Sequence, residues 1–466
     1  MRMVKSPAST GRSGSATRSR GQRRRGQWKR DLRAPGLALL TVGGIMGSGL
    51  FLASGLAIQA AGPAALGVFA LAGLAMYLEI SALGEMAAAD PRPGSFLVYA
   101  RQVLGPGVTF VAGWIFWLSS VLTMSSEVTA AALFTRLWAP HVPIWVFSVA
   151  YSALIVGLNF VSVRGFGTIE GLMAGIKALA VLAFIAVGLI LIGHVRTVPL
   201  PGLGGWMPNG WRGVAPSLVL VLFAYAGTGV IGMAAAESAD PARTIRGAVR
   251  AASVAIPLLY LGAIWLILRL VPWTHVPTTS SPFVAAVTAL GFPGAASILN
   301  IVLLFAVLST MNAALYANVR VLYSLAGEGE APRILGRLNS KGLPAAATWT
   351  SAGLLALTLL MALFLPHKAY AYLVTATGFQ AMFIWLVVLV THLYYRRYLL
   401  RTHPERLGWR LWGYPYTTFF VIAVVLAALA GAPIAHGEEV GALIGLGAIL
   451  AMVPVWYIVR GRIKRV

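Results

Sequence analysis

The feature that most constrains this chain is a series of apolar stretches of about twenty residues with few or no charged side chains. A stretch of this length crosses the hydrocarbon core of a bilayer as one α-helix, which satisfies its own backbone hydrogen bonds where no water is available. The sequence is 58% hydrophobic and only 11% charged, which excludes a soluble globular protein. It predicts an all-α polytopic membrane protein.

Twelve transmembrane helices are predicted. They cover residues 35–60, 64–89, 107–135, 142–163, 168–193, 213–236, 247–271, 296–325, 345–365, 369–395, 414–434 and 440–459. Lys and Arg concentrate in the N-terminal tail, in alternate loops and after the last span, and the opposite loops contain little beyond Arg136, Arg196, Arg212 and Lys368. The positive-inside rule therefore predicts a multi-pass protein of the cytoplasmic membrane with both termini in the cytoplasm.

The net charge of +23 and the segment "RGQRRRGQWKR" would also be typical of a nucleic-acid-binding tail. The positive-inside rule accounts for the basic residues without such a partner, so we expect the lipid bilayer and no nucleic acid. Residues 1–33 are predicted to be a basic, disordered cytoplasmic tail. Residues 34–396 are predicted to form a ten-helix core, and residues 397–466 helices 11 and 12 with a short basic C-terminus.

Two spans are weakened by glycine at mid-depth. Span 1 contains "TVGGIMGSGLF" (41–51), and span 6 contains "FAYAGTGVIG" (223–232). Glycine is a poor helix former, and irregular backbone is tolerated in a membrane only where it lines a cavity. The two spans lie five apart, as equivalent elements of two five-helix repeats would. Paired interruptions of this kind predict the binding site of a transporter.

A broken helix exposes N–H groups that suit a carboxylate and carbonyl groups that suit an ammonium. The two breaks together therefore suit a zwitterion such as an amino acid. The predicted substrate-binding residues are Ile45, Met46, Gly47, Ser48, Gly49, Phe223, Ala224, Tyr225, Ala226, Gly227 and Thr228. Phe223 and Tyr225 lie at the second break and are predicted to form a lid over the substrate. In the alternative interpretation, glycines four apart such as Gly43 and Gly47 only allow helices to pack closely.

Several motifs occur in one order along nearly the whole chain after Arg30. They are "GGIMGSGLFLASG" (43–55), "SALGEMAAADPRPGSFLVYARQVLGPGVTFVAGWIFW" (81–117), "FAYAGTGVIGMAAAESADPARTI" (223–245) and the stretch 281–335 that begins "SPFVAAVTALGFPG". With these motifs the chain resembles the amino acid–polyamine–organocation superfamily, and within it most the bacterial amino acid transporter family.

The resemblance implies an inverted-repeat fold like that of the leucine transporter, with repeats at about 34–195 and 210–396 and with helices 11 and 12 outside them. It also implies a permease that takes up an amino acid together with a proton. An exchanger of the same fold and an amino acid sensor without transport are the alternatives.

Ionisable residues inside spans indicate function, because they are costly in a bilayer. Lys177 in span 5 matches a lysine whose ammonium replaces sodium in some relatives. The resemblance therefore implies a role in proton coupling, with contacts to the first break and to Ser309 or Thr310. Alternatively, Lys177 snorkels to the cytoplasmic interface. Glu127 in span 3 matches a family glutamate and is the second predicted coupling residue, or the residue that interacts with a basic substrate; alternatively it is a structural carboxyl. Asn312 joins Ser309 and Thr310 as a supporting polar residue or as a helix–helix contact.

Two positions depart from the family pattern. Gly229 stands where many members have a glutamate after the span 6 break, and Arg246 stands where proline is usual. The glycine removes a candidate anchor for proton or substrate from this break. Glu237, at the cytoplasmic end of span 6, is interpreted as a structural or gating charge.

An enzyme is not expected. The sequence has no Walker A or H-E-x-x-H motif, and its few histidines lie mainly in loops. The absence of cysteine excludes thiolate metal sites, and we expect neither a cofactor nor a catalytic residue. A channel would show a polar pore lining or charged rings, whereas two broken helices fit alternating access better.

Overall fold

The fold is helical throughout the part of the chain that the computed structural model describes, with no strand in it. That part comprises residues 34–92, 96–161, 166–202, 204–229, 231, 240–291, 294–339, 342–364, 368–434 and 439–463. The predicted N-terminal tail and Glu237 lie outside these residues.

The helices of the first half begin with a span that is divided into three pieces. They are α1 (Ala34–Ile45), α2 (Ser48–Phe51), α3 (Ala53–Ala61), α4 (Ala65–Ala89), α5 (Phe96–Leu104), α6 (Pro106–Thr135), α7 (Ile144–Val161) and α8 (Phe166–Leu191). The first span changes direction at Met46 and Gly47, where the glycines interrupt an otherwise apolar helix. The short helix α5 lies in the loop between predicted spans 2 and 3.

The helices of the second half begin with a short one, α9. They are α9 (Gly210–Ala224), α10 (Pro241–Leu270), α11 (Pro282–Ala289), α12 (Ala295–Gly327), α13 (Ala345–Phe364), α14 (Ala369–Thr402), α15 (Tyr416–Gly431) and α16 (Glu439–Ile463). Proline in the first turn suits the starts of α6, α10 and α11, because the missing N–H has no helical partner there. The Asp240 side chain caps α10 by accepting the Arg243 N–H at 3.1 Å.

Seven helical segments of the described chain are long and apolar enough to cross a membrane, and five further apolar helices are shorter. Along the chain, these helices occur in the same order as the predicted spans. Two of the short ones, α1 and α9, are the halves that end at the glycine breaks. At about 1.5 Å per residue neither can cross a bilayer alone, so each needs its continuation beyond the break.

The helices that surround the first break decide where a site can form. Helix α1 packs on α8 and α10, and α6 packs along α12 and α14. The core beside the breaks contains three aromatic rings, of Phe69, Tyr225 and Tyr260, with the two tyrosine centroids 4.7 Å apart. This packing brings the middles of α6, α8 and α12 to the point where α1 ends.

Candidate binding cavity at the helix breaks

The first break contains a glycine, Gly47, at a position that has no room for a side chain. Gly47 has an extended backbone between α1 and α2. A Cβ atom there would lie 2.5 Å from Oε1 of Glu127 and 2.9 Å from Cγ2 of Thr310. Helices α6 and α12 therefore approach the backbone of the break directly, and a larger residue at position 47 would displace one of them.

The second break contacts the first. Helix α9 ends at Ala224, and Gly227 follows with φ +106°, a conformation that favours glycine. A Cβ on Gly227 would lie 2.5 Å from the carbonyl oxygen of Gly44, and one on Gly49 would lie 2.6 Å from Cα of Ala224. The two interruptions thus form one site. Gly43 is different, because it packs against Ala174 of α8, as the packing interpretation expects.

Glu127 of α6 occupies the N-terminal end of α2. The Ser48 N–H donates to both carboxylate oxygens at 3.0 Å, and the Ser48 hydroxyl donates to Oε1 at 3.0 Å. This carboxylate takes the place that a capping residue would fill at a helix start, where the helix dipole favours negative charge. The N–H that the sequence assigns to the substrate carboxylate is therefore bonded to a carboxylate of the protein in this structure.

Lys177 reaches the first break from α8. Its ammonium donates to the carbonyl oxygen of Gly43 at 3.0 Å and to the hydroxyl of Thr310 at 2.9 Å. Its side chain is only 1% exposed, so it points into the protein rather than snorkelling to an interface. The ammonium supplies donors to a carbonyl that the end of α1 leaves without a helical partner.

A second acidic residue, Glu170, accompanies this lysine. Its Oε1 lies 4.0 Å from Nζ of Lys177 and accepts the Ser309 hydroxyl at 2.7 Å. Ser309 thus contacts Lys177 only through Glu170. Glu170 is not among the residues predicted from the sequence, although its position two helical turns before Lys177, on the same face of α8, was an available signal.

Two tyrosines bind carbonyl groups at the breaks. The Tyr260 hydroxyl donates to the Ala224 carbonyl at 3.0 Å, and the Tyr370 hydroxyl donates to the Ser48 carbonyl at 2.9 Å. Both residues are buried, and such bonds compensate for helical hydrogen bonds that a break removes. No pattern in the sequence indicated these two roles.

A cavity opens between the breaks and the helices α4, α6, α12 and α14. The space open to the centre of a water molecule is about 150 Å³. By this measure one water needs roughly 10–15 Å³, so a small polar molecule fits. The cavity extends from the breaks to Phe96 of the loop helix α5.

The predicted site residues divide into two sets. Those that line the cavity are Ile45, Gly47, Gly49, Phe223, Ala226, Gly227, Thr228, Glu127 and Thr310. Those outside its lining are Met46, Ser48, Ala224, Tyr225, Lys177, Ser309 and Asn312. Tyr225 faces the packed core and donates to the Phe69 carbonyl at 3.1 Å. Asn312 accepts a hydrogen bond from Asn159 at 2.9 Å, which links α12 to α7.

Glu79 of α4 also lines the cavity, and it is not among the site residues predicted from the sequence. An acidic residue in the middle of an apolar span was the signal that could have identified it. Among the described residues no group of three or more His, Asp or Glu residues could hold a metal ion.

Sequence relatives with curated descriptions cover most of this chain. An uncharacterized amino acid permease of Bacillus subtilis, YtnA, is 33% identical over 94% of this chain and 95% of its own length. A gamma-aminobutyric acid permease of the same organism is 34% identical over 86% of this chain and 87% of its own. The aromatic amino acid transport protein AroP of Salmonella typhi is 34% identical, with 80% and 82% covered.

A solved structure of similar fold is that of the Eremococcus coleocola manganese transporter in complex with an aromatic bis-isothiourea substituted compound. It has a TM-score of 0.59 at 15% identity and covers 93% of this chain and 95% of its own, so it supports the fold alone. The amino acid permease family model matches residues 36–452. The chain belongs to the amino acid permease family and is a multi-pass membrane transport protein, not an enzyme.

Proposed function

We propose that this permease is a secondary active transporter that takes up an amino acid with a proton by alternating access in the cytoplasmic membrane. The observation that carries the proposal is the meeting of two glycine breaks beside one cavity, with Lys177 bonded to the first of them. A transporter of this kind binds its substrate where interrupted helices expose backbone groups near mid-membrane.

The proposed architecture has twelve spans, with residues 34–396 forming two inverted five-helix repeats and residues 397–466 adding two spans. The order of the described helices and the equivalent positions of α1 and α9 support it. With both termini cytoplasmic, the cavity extends from the breaks toward the cytoplasm, because Phe96 lies in a cytoplasmic loop. The structure would then represent an inward-facing state.

We propose that the substrate carboxylate competes with Glu127 for the first break. Glu127 accepts the Ser48 N–H while it is ionised, and protonation removes the charge that this site favours. A protonated Glu127 would release the Ser48 N–H to the substrate carboxylate. Binding of a proton and of an amino acid would then favour each other, which is the thermodynamic requirement for coupled transport.

Lys177 has a supporting role in this scheme. Its ammonium bonds to the Gly43 carbonyl and lies near Glu170, so it fixes the first break from the side opposite the cavity. In this position beside the first break, the ammonium of Lys177 would replace a bound sodium ion. We therefore propose that Lys177 couples transport to protons by allowing the break to form without sodium.

The relatives are named for different amino acids, among them gamma-aminobutyric acid and aromatic amino acids. The backbone of the two breaks would bind the charged groups that amino acids share. The side chains around the rest of the cavity would select among them.

Uptake into proteoliposomes tests the function. The purified full-length protein is reconstituted, and accumulation of a mixture of radiolabelled amino acids is measured with and without an inwardly directed proton gradient. We expect accumulation that requires the gradient and is abolished by a protonophore. Exchange without net accumulation would indicate an antiporter, and binding without either would indicate a sensor; both outcomes would overturn proton-coupled uptake.

A further inference from the structure

A second buried carboxyl group, besides that of Glu127, lines the cavity. Glu79 is at the middle of α4, is 1% exposed and lines the cavity. Its sequence neighbours Leu78 and Ile80 are apolar. An acidic residue at this depth of a membrane protein is costly and requires a compensating partner.

The partners of Glu79 do not balance its charge. Its carboxyl group interacts with the hydroxyl of Thr228 in the second break, but its Oε2 has no hydrogen-bond partner within the described chain. No Lys, Arg or His of the described ranges forms an ion pair with it. A buried acidic group that is half-satisfied in this way is suited to accept a positive charge from a ligand.

The neighbouring wall leaves space for that ligand. Gly229, the next residue after Thr228, also lines the cavity, and among the described residues a Cβ placed on it would meet only Cε2 of Phe116, at 3.8 Å. The side chains of Leu83, Phe116 and Trp385 form the apolar surroundings. They suit the aliphatic stem of a long side chain whose charged end reaches a carboxylate.

We propose that Glu79 binds a positively charged group at the end of the substrate remote from its carboxylate. The permease would then take amino acids with a distal ammonium or guanidinium group. This rests on the proposed function, because the cavity must bind the substrate. The first break binds the carboxylate, and the pair of Glu79 and Thr228 sets selectivity for the distal cation.

The test compares two ligands that differ only in the distal ammonium. Binding of L-lysine and of L-norleucine to the purified full-length protein is measured by thermal shift and by competition. The wild type, Glu79→Gln, Glu79→Asp and the control Glu405→Gln are used. Glu405 is an exposed carboxylate far along the chain, in the turn after α14. The amide of Gln retains the size of the side chain and the contact with Thr228.

We expect the wild type and Glu405→Gln to bind L-lysine more tightly than L-norleucine. Glu79→Gln should lose about tenfold or more of its affinity for L-lysine, while its affinity for L-norleucine changes little. Glu79→Asp should recover part of the preference, because it restores the charge. A melting temperature of Glu79→Gln close to that of the wild type excludes misfolding as the cause.

Three outcomes would overturn the inference: a wild type that prefers L-norleucine, a Gln variant that keeps the preference for L-lysine, and an equal loss for both ligands. The proposed function is tested separately by accumulation in proteoliposomes. A wild type that accumulates neutral amino acids but does not bind L-lysine refutes only the role of Glu79. A wild type that binds L-lysine through Glu79 but accumulates nothing refutes only transport.

Discussion

The charged side chains on the two sides of the cavity differ in how many hydrogen-bond partners they have. At the first break, the carboxylate of Glu127 accepts three hydrogen bonds from Ser48, and the ammonium of Lys177 donates two. At the second break, Glu79 contacts one hydroxyl and leaves an oxygen without a partner in the described chain. The first set of charges stabilises an irregular backbone, whereas the second remains available for a ligand. We infer that the first side binds what all substrates share and the second side selects among them.

The largest expected effect tests the first side. In Gly47→Val the new side chain would overlap Glu127 and Thr310, where a Cβ alone would be within 3 Å of both. We expect binding and transport of every amino acid to be abolished while the protein remains folded, as judged by size-exclusion chromatography. Gly175→Val is the matched control, because a Cβ there meets nothing within 4 Å. Transport by Gly47→Val at the wild-type rate would refute the assignment of the first break as the site.

The next effect concerns the cation of the same side. Lys177→Ala leaves the Gly43 carbonyl and Glu170 without their ammonium, and loss of one partner of a buried charge pair costs about 3–5 kcal/mol. We expect gradient-driven accumulation to fall at least about tenfold, with a lower melting temperature. Lys368→Ala, at an exposed helix start, should match the wild type. Unchanged pH-dependent uptake by Lys177→Ala would remove the coupling role.

A smaller effect separates the two acidic residues. Glu127→Gln keeps one acceptor for the Ser48 N–H but can no longer exchange a proton. We expect amino acid affinity to lose its dependence on pH, equally for L-lysine and L-norleucine. Glu79→Gln should instead change only the preference between these ligands. If both variants change the same property, the difference between the two sides does not hold.

The smallest expected effect tests whether the packed core behind the two breaks contributes to substrate selectivity. Tyr260→Phe removes a hydroxyl that donates to the carbonyl of Ala224. Loss of one such bond costs about 1 kcal/mol in stability, so for a chain of 466 residues we expect the melting temperature to fall by only about 1 °C. Relative affinities for different amino acids should not change. A changed preference among substrates would show that the core behind the breaks also sets selectivity.

Much of the fold could be predicted from the pattern of apolar residues. The length of each apolar stretch is set by the thickness of the bilayer, and clustered glycines at mid-depth in two spans five apart favour paired breaks over close helix packing. For this reason the order of the helices and the two interruptions agree with the prediction. The helix ends were less predictable. Helix α14 continues to Thr402, seven residues past the predicted end at 395. Its charged last turns extend beyond the apolar stretch from which the end was predicted.

The site was only partly predictable. Contacts of Lys177 with the first break and with Thr310 were expected, and both are present. Its neighbour Glu170, the carbonyl-binding tyrosines and the cavity position of Glu79 were not expected, because each depends on which face of a helix points inward. The spans are apolar on nearly all sides, so periodicity does not distinguish the face toward the core from the face toward lipid.

The sequence by itself determined that the chain is a helical membrane protein with two interrupted spans, since backbone groups in a bilayer must be satisfied within helices or at a cavity. Only the tertiary structure decided which polar side chains occupy those interruptions. Glu127, Lys177 and Glu79 are all ionisable residues inside apolar spans, and their sequence surroundings do not show which partners they meet. Packing makes them different, because it brings two or more hydrogen bonds to each of the first two and leaves one carboxyl oxygen of the third without a partner in the described chain.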